Sequence, residues 1–204
     1  MFIILLGWVI SAFIYMYIKR LRLEFNWMSR PYIARAIDQH ENGYCGACYL
    51  VAPVQMLQDR LAIRGEVHTG FDLQTMLNEY TYIKQQSMRL SDDILPHGVW
   101  HGCVGGCPLE VLDMIQDGRL RVPWTDKPTQ PPSHRPVGAA PEQHSKIPAI
   151  EQRWLEGETS LLRAHIRHHG PVIMFMSASS ICKCEDESEN HIISVVGSCK
   201  DGWI

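Results

Sequence analysis

The sequence predicts an α+β protein whose first half is helical and whose second half is strand-rich, placed behind an apolar N-terminal segment. Three observations predict it. After Cys48 the apolar residues Leu50, Val54, Leu57 and Leu61 recur at helical spacing. Pro108 precedes a run to about Gln116 and suits a first helical position, where a missing N–H costs nothing. Late in the chain come two short runs rich in branched and apolar residues, from Pro171 to Met176 and from Ile192 to Val196, which read as strands. Helices followed by strands give two lobes that share a cleft.

The remaining elements follow in order. The helix after Cys48 contains Pro53, expected near the end of its first turn, where it removes one backbone donor. A second helix is expected from Phe71 to about Tyr82, and another from Glu158 to His168 with His165, His168 and His169 at its cationic end. Those histidines read as surface residues. The stretch 122–148 holds seven prolines, at 123, 128, 131, 132, 136, 141 and 148, and reads as an irregular connector.

Composition narrows the function classes. The 204 residues are 46% hydrophobic and 20% charged with a net charge of −3, which disfavours a nucleic-acid partner. Met1 to Ile18 carries no charged side chain and is followed by Lys19, Arg20 and Arg22. Eighteen apolar residues reach the lower limit for spanning a bilayer. No positive charge precedes the run and no small-residue cleavage site follows it, so residues 1–22 are expected to be a retained single-pass anchor rather than a cleaved leader. The flanking charges favour a cytosolic side for residues 23–204.

Seven cysteines stand at 45, 48, 103, 107, 182, 184 and 199, an odd number that leaves at least one outside any set of internal disulfides. Cys45-Gly46-Ala47-Cys48-Tyr49 has the form C-G-[SA]-C-[WY] of papain-type nucleophiles, with His191 143 residues beyond Cys48. A thiol at a helix N-terminus faces the positive end of the helix dipole and is expected to lose its proton more readily. Cys45-x-x-Cys48 is also half of a zinc site, for which Cys103 and Cys107, or Cys182 and Cys184 with a histidine, would supply the other half. A redox motif is the third reading, although no βαβ pattern surrounds it. Neither a cofactor nor a metal is expected on the first reading.

Taken in order, these residues resemble the papain family of cysteine proteases, and most closely its cathepsin X (cathepsin Z) branch. Gln39-His40-Glu41-Asn42-Gly43-Tyr44-Cys45-Gly46-Ala47-Cys48 is similar to that branch's approach to the active-site helix, including its short insertion. Phe71 to Leu77 resembles the family's second helix, with Tyr80 where a disulfide cysteine is usual. Gly102-Cys103-Val104-Gly105-Gly106 resembles G-C-x-G-G, and Asn190-His191-Ile192-Ile193-Ser194-Val195-Val196-Gly197 resembles the strand bearing the catalytic histidine.

The resemblance implies a two-lobed papain-like domain over residues 23–204, a Cys48 nucleophile, His191 as its base and Gln39 as an oxyanion donor. It implies peptide contacts at Gly105, Gly106 and Asn190, and a disulfide between Cys45 and Cys103. It also implies that His40 receives a substrate's terminal carboxylate, which would make the protein a carboxypeptidase acting on peptides or proteins. Two departures lead to further expectations. The asparagine strand N-S-W-G is due where the sequence ends at Gly202-Trp203-Ile204, so the right lobe is expected to be truncated and activity weak or lost. Only about twenty residues separate the basic cluster from Cys45, so no inhibitory propeptide is expected. A Cys45–Cys103 disulfide requires an oxidising compartment, against the cytosolic side suggested by the flanking charges.

Overall fold

The computed structural model describes residues 13–15, 24–31, 33–38, 41, 45–66, 70–90, 102–133, 159–177, 191–199 and 202–204, with side chains omitted at 88–90. The order of elements is β1 (Phe25–Asn26), a 3-10 turn (Trp27–Ser29), α1 (Cys48–Ile63), β2 (Gly70–Phe71), α2 (Leu73–Leu90), a 3-10 turn (Gly102–Val104), α3 (Pro108–Gln116), β3 (Trp124–Thr125), α4 (Thr159–His169), β4 (Val172–Met176), β5 (His191–Val195), β6 (Gly197–Cys199) and β7 (Gly202–Trp203).

Helix α1 is the centre of the molecule. Its apolar residues were expected to form one stripe, but Tyr49 to Val54, Met56 to Asp59, Leu61 and Ala62 are all buried. A helix with apolar residues all round belongs inside a core rather than on its edge. It packs against α2 and α3 and against the strands β4 and β5. Pro53 lies inside the helix, in its second turn rather than its first. Its missing N–H leaves the Tyr49 carbonyl without the usual i+4 donor, and the helix nonetheless continues to Ile63.

The other helices differ from expectation mainly at their ends. Phe71 belongs to β2, where it pairs with Trp124 of β3, and α2 begins two residues later. Asp72 supplies the stop and the start: its Oδ1 accepts the Thr75 N–H at 3.0 Å and its Oδ2 accepts the Thr75 hydroxyl at 2.8 Å. Helix α3 starts at Pro108, as the missing donor of proline permits. Helix α4 ends at Gly170, whose φ of +95° is a left-handed conformation that other residues resist.

Three small antiparallel sheets complete the fold, with orders β1-β6-β7, β2-β3 and β4-β5. In the last, Met176 pairs with His191 and Val172 with Val195. Helix α4 closes over the β1-β6-β7 sheet: the Arg163 and Arg167 guanidinium groups lie 5.3 and 5.4 Å from the rings of Trp203 and Phe25, and the Trp27 indole donates to the Ile166 carbonyl at 2.8 Å.

The start of the proline-rich stretch is anchored at several points, while Asp126, Lys127, Pro128 and Gln130 are exposed. Val122 is 2% exposed, Trp124–Thr125 form β3, and Thr129 accepts the Phe71 N–H at 2.8 Å while donating to Gln58 Oε1 at 2.8 Å. Residues 134–148 lie outside the described residues, as does most of the expected anchor. Among the described residues no helix is long and apolar enough to cross a membrane.

Candidate active site

The N-terminus of α1 is built by a loop pressed onto it. Cys45 and Cys103 are joined by a disulfide, and the Gly46 N–H donates to the Cys103 carbonyl at 2.8 Å. A Cβ at Gly46 would stand 2.8 Å from that carbonyl oxygen, so the close approach requires glycine. Beneath the loop, the fully buried Tyr49 donates its hydroxyl to the Gly102 carbonyl at 2.8 Å. Tyr80 stands beside it at 5.3 Å between ring centroids and donates to Glu110 Oε2 at 2.7 Å. Lys84 reaches the same carboxylate at 2.9 Å. A tyrosine therefore fills the position where the resemblance led one to look for a cysteine.

This arrangement sets Cys48 at the first position of α1, after an N-cap, Ala47, whose side chain offers no hydrogen bond. The Leu50 and Val51 N–H groups both turn to the Ala47 carbonyl, at 2.9 Å each. The Cys48 thiol stands at this helix terminus. The expected lowering of its pKa does not result. Burial pushes the Cys48 thiol above its ordinary value, and main-chain hydrogen bonding with Ile192, Tyr49 and Cys48 offsets this only in part. Desolvation of the thiolate outweighs the helix terminus.

Ile192 is the residue after His191. Helix α1 packs against β5, and Cys48 and His191 line one cleft of about 410 Å³. Three stretches form the rest of the lining. Ala34, Ala36, Ile37 and Asp38 form one wall, His191 to Ser194 another, and Val51, Ala52 and Gln55 of α1 the floor, with Met28, Val196 and Ile204 also contributing. Among the described residues the lining is mostly apolar, with Asp38 its one carboxylate and Cys48 and His191 its other titratable groups.

The other expected site residues divide into two groups. Gly105 and Gly106 lie outside the cleft lining. Gly106 is pressed on Tyr49, where a Cβ would come within 2.6 Å of the ring, so its observed role is packing of the loop. Gln39, His40 and Asn190 lie outside the described residues, as do Cys182 and Cys184. Among the described residues no cluster of three or more histidine, cysteine or acidic side chains could hold a metal. Of the histidines expected at the surface, His165 is only half-buried, and its Nε2 lies 3.2 Å from Arg60 Nη2. The lining from Met28 and Ile204 was not foreseen, because apolar residues near the ends of a sequence carry no local sign of a cleft.

No family model and no curated protein matches the sequence. Solved structures do match it. A chain from the study of the mite allergens Blo t 1 and Der p 1 superimposes with a TM-score of 0.55 at 17% identity, over 86% of this chain and 56% of that one. The cysteine protease CMS1MS2 of Carica candamarcensis, solved in complex with E-64, gives a TM-score of 0.53 at 18% identity, over 87% of this chain and 78% of that one. This chain thus spans little more than half the length of the first match. The likeness lies in the arrangement of the chain, and the fold is that of papain-like cysteine proteases.

Proposed function

We propose that the protein is a cysteine-type peptidase in which Cys48 attacks the carbonyl of a peptide and His191 moves the protons. The observation that carries this reading is that the first residue of α1 and the first residue of β5 line one cleft, in a fold shared with cysteine proteases. A thiol is a weak nucleophile until it loses its proton, and an imidazole with an ordinary pKa near 6.5 is a suitable acceptor. With the resting thiol held up by burial, His191 takes the proton as the sulfur adds to the carbonyl carbon. The main-chain N–H of Cys48 and the Gln39 side chain stabilise the resulting oxyanion. The C–N bond then breaks, the amine leaves with the proton from His191, and water releases the acyl group from sulfur.

The finer reading is a carboxypeptidase, with His40 receiving the free carboxylate of the substrate. It rests on the resemblance of residues 39–48 to the cathepsin X branch. A C-terminal amide on the substrate would abolish such cleavage, and His40→Ala would shift the preference toward internal bonds. The raised thiol pKa favours a second reading, a protease-like interaction protein with weak or no turnover. Turnover of a small library of fluorogenic and free-acid peptides separates the two: cleavage lost in Cys48→Ala supports the peptidase, and no cleavage by folded parent protein supports the second reading.

A further inference from the structure

Asp59 is fully buried, three turns after Cys48 on α1. A carboxylate without solvent is costly unless both oxygens are satisfied. Here Oδ1 accepts the Ala34 N–H at 2.7 Å, while Oδ2 is buried with no hydrogen-bond partner among the described residues. Among the described residues, the hydrogen bond that the group makes is with a residue of the cleft wall.

One turn earlier, Gln55 donates from Nε2 to the Arg35 carbonyl at 2.9 Å. Side chains four apart share a helix face, so the two hold main-chain groups of adjacent wall residues, the N–H of Ala34 and the C=O of Arg35. The next residue, Arg60, reaches the other way. Its Nε donates to the Pro171 carbonyl at 2.7 Å, directly before β4, the strand that pairs with the His191 strand. The helix that bears the nucleophile thus holds the 34–38 wall through Gln55 and Asp59 and, through Arg60, the main chain just before the strand paired with β5.

We propose that Asp59 is a positioning residue that, through its bond to Ala34 and together with Gln55, sets the wall 34–38 at its distance from Cys48. The proposal rests on the peptidase reading, since that wall leads directly into Gln39, the oxyanion donor of that mechanism. Displacement of such a donor acts on the transition state more than on substrate binding, so its loss appears in kcat rather than KM.

The test compares the full chain with Asp59→Leu and Asp59→Asn. Leucine has similar size and no acceptor; asparagine keeps an acceptor oxygen at the same place. The expected result is a fall of about tenfold or more in kcat for the leucine variant with KM changed by less than about threefold, and turnover near that of the parent for asparagine. Amide exchange at Ala34 is measured alongside, with protection expected in the parent and in Asp59→Asn but lost in Asp59→Leu. Unchanged Ala34 protection or unchanged kcat in a folded leucine variant overturns the proposal. If the leucine variant fails to fold, the asparagine variant decides, and loss of its Ala34 protection overturns the proposal. A parent that cleaves no peptide defeats the peptidase reading, while Ala34 exchange still decides whether Asp59 holds the wall.

Discussion

The Tyr49 hydroxyl donates to the Gly102 carbonyl at 2.8 Å, tying the second residue of α1 to a loop 53 positions away in sequence. That bond is buried and lies next to the nucleophile. Tyr49→Phe leaves the Gly102 carbonyl without this donor and is expected to cost about 1–3 kcal/mol of stability, read from urea unfolding. A loss below about 0.3 kcal/mol would mean that the carbonyl finds another partner.

Gly106→Ala tests the same contact from the other side. The added Cβ would fall 2.6 Å from the Tyr49 ring, which is fully buried and cannot swing away. A destabilisation of about 1–3 kcal/mol is expected, and Tyr49→Phe should not relieve it, because the ring and not the hydroxyl is struck. Wild-type stability for the alanine variant would show that the loop yields without cost.

The helices were legible where local chemistry decides them and not where a distant partner does. The Cys48 helix and the Pro108 helix follow from apolar spacing and from proline's tolerance of a first helical position. Phe71 was assigned to a helix because its pairing with Trp124, 53 residues on, leaves no local trace. The last turns of α2 were missed because residues after Tyr82 are mostly polar, which is how the solvent side of a helix reads. At the site, Cys48 and His191 were legible from motifs. The wall facing them was not, since Ala34 and Ala36 are ordinary residues, and Asp59 looks from sequence like an exposed helical carboxylate. The sign of the Cys48 pKa shift was missed for a related reason: a helix N-terminus is visible in a sequence, and burial of the thiol is not.

Removing the Cys45–Cys103 bridge frees a loop of 58 residues in the unfolded chain. Chain entropy assigns a bridge of that span about 4 kcal/mol, so the Cys45→Ala, Cys103→Ala double variant should lose up to roughly that amount. Reductant should reproduce the loss in the parent and have no effect on the double variant. Equal unfolding midpoints with and without reductant in the parent would contradict the bridge's role.

Asp59 makes stability depend on pH. Burial pushes its carboxyl up to about 7, the Ala34 N–H opposing in part, whereas in the unfolded chain it titrates near 3.9. The folded state therefore binds more protons between those values. Its contribution is fully present below about pH 4 and is lost as pH rises through about 7. Asp59→Asn should remove this slope, so that parent and variant diverge in unfolding free energy as pH rises from about 4 to about 7. Parallel pH curves would show that Asp59 titrates normally in the folded chain.

The raised Cys48 thiol gives a separate pH signature. Alkylation of the resting protein by a neutral reagent such as iodoacetamide should accelerate with pH through and beyond the range of an ordinary thiol, because burial stabilises the neutral form. A plateau at neutral pH would indicate a standing thiolate–imidazolium pair instead.

The central claim is that Cys48 and His191 act on one another across the cleft. Its most direct measurement is mass-spectrometric mapping of an epoxide probe on the parent protein and on His191→Ala. The account predicts a single adduct at Cys48, formed about a hundredfold more slowly when His191 is removed. No adduct at any pH, or adducts at Cys107 or Cys199 in place of Cys48, would contradict it.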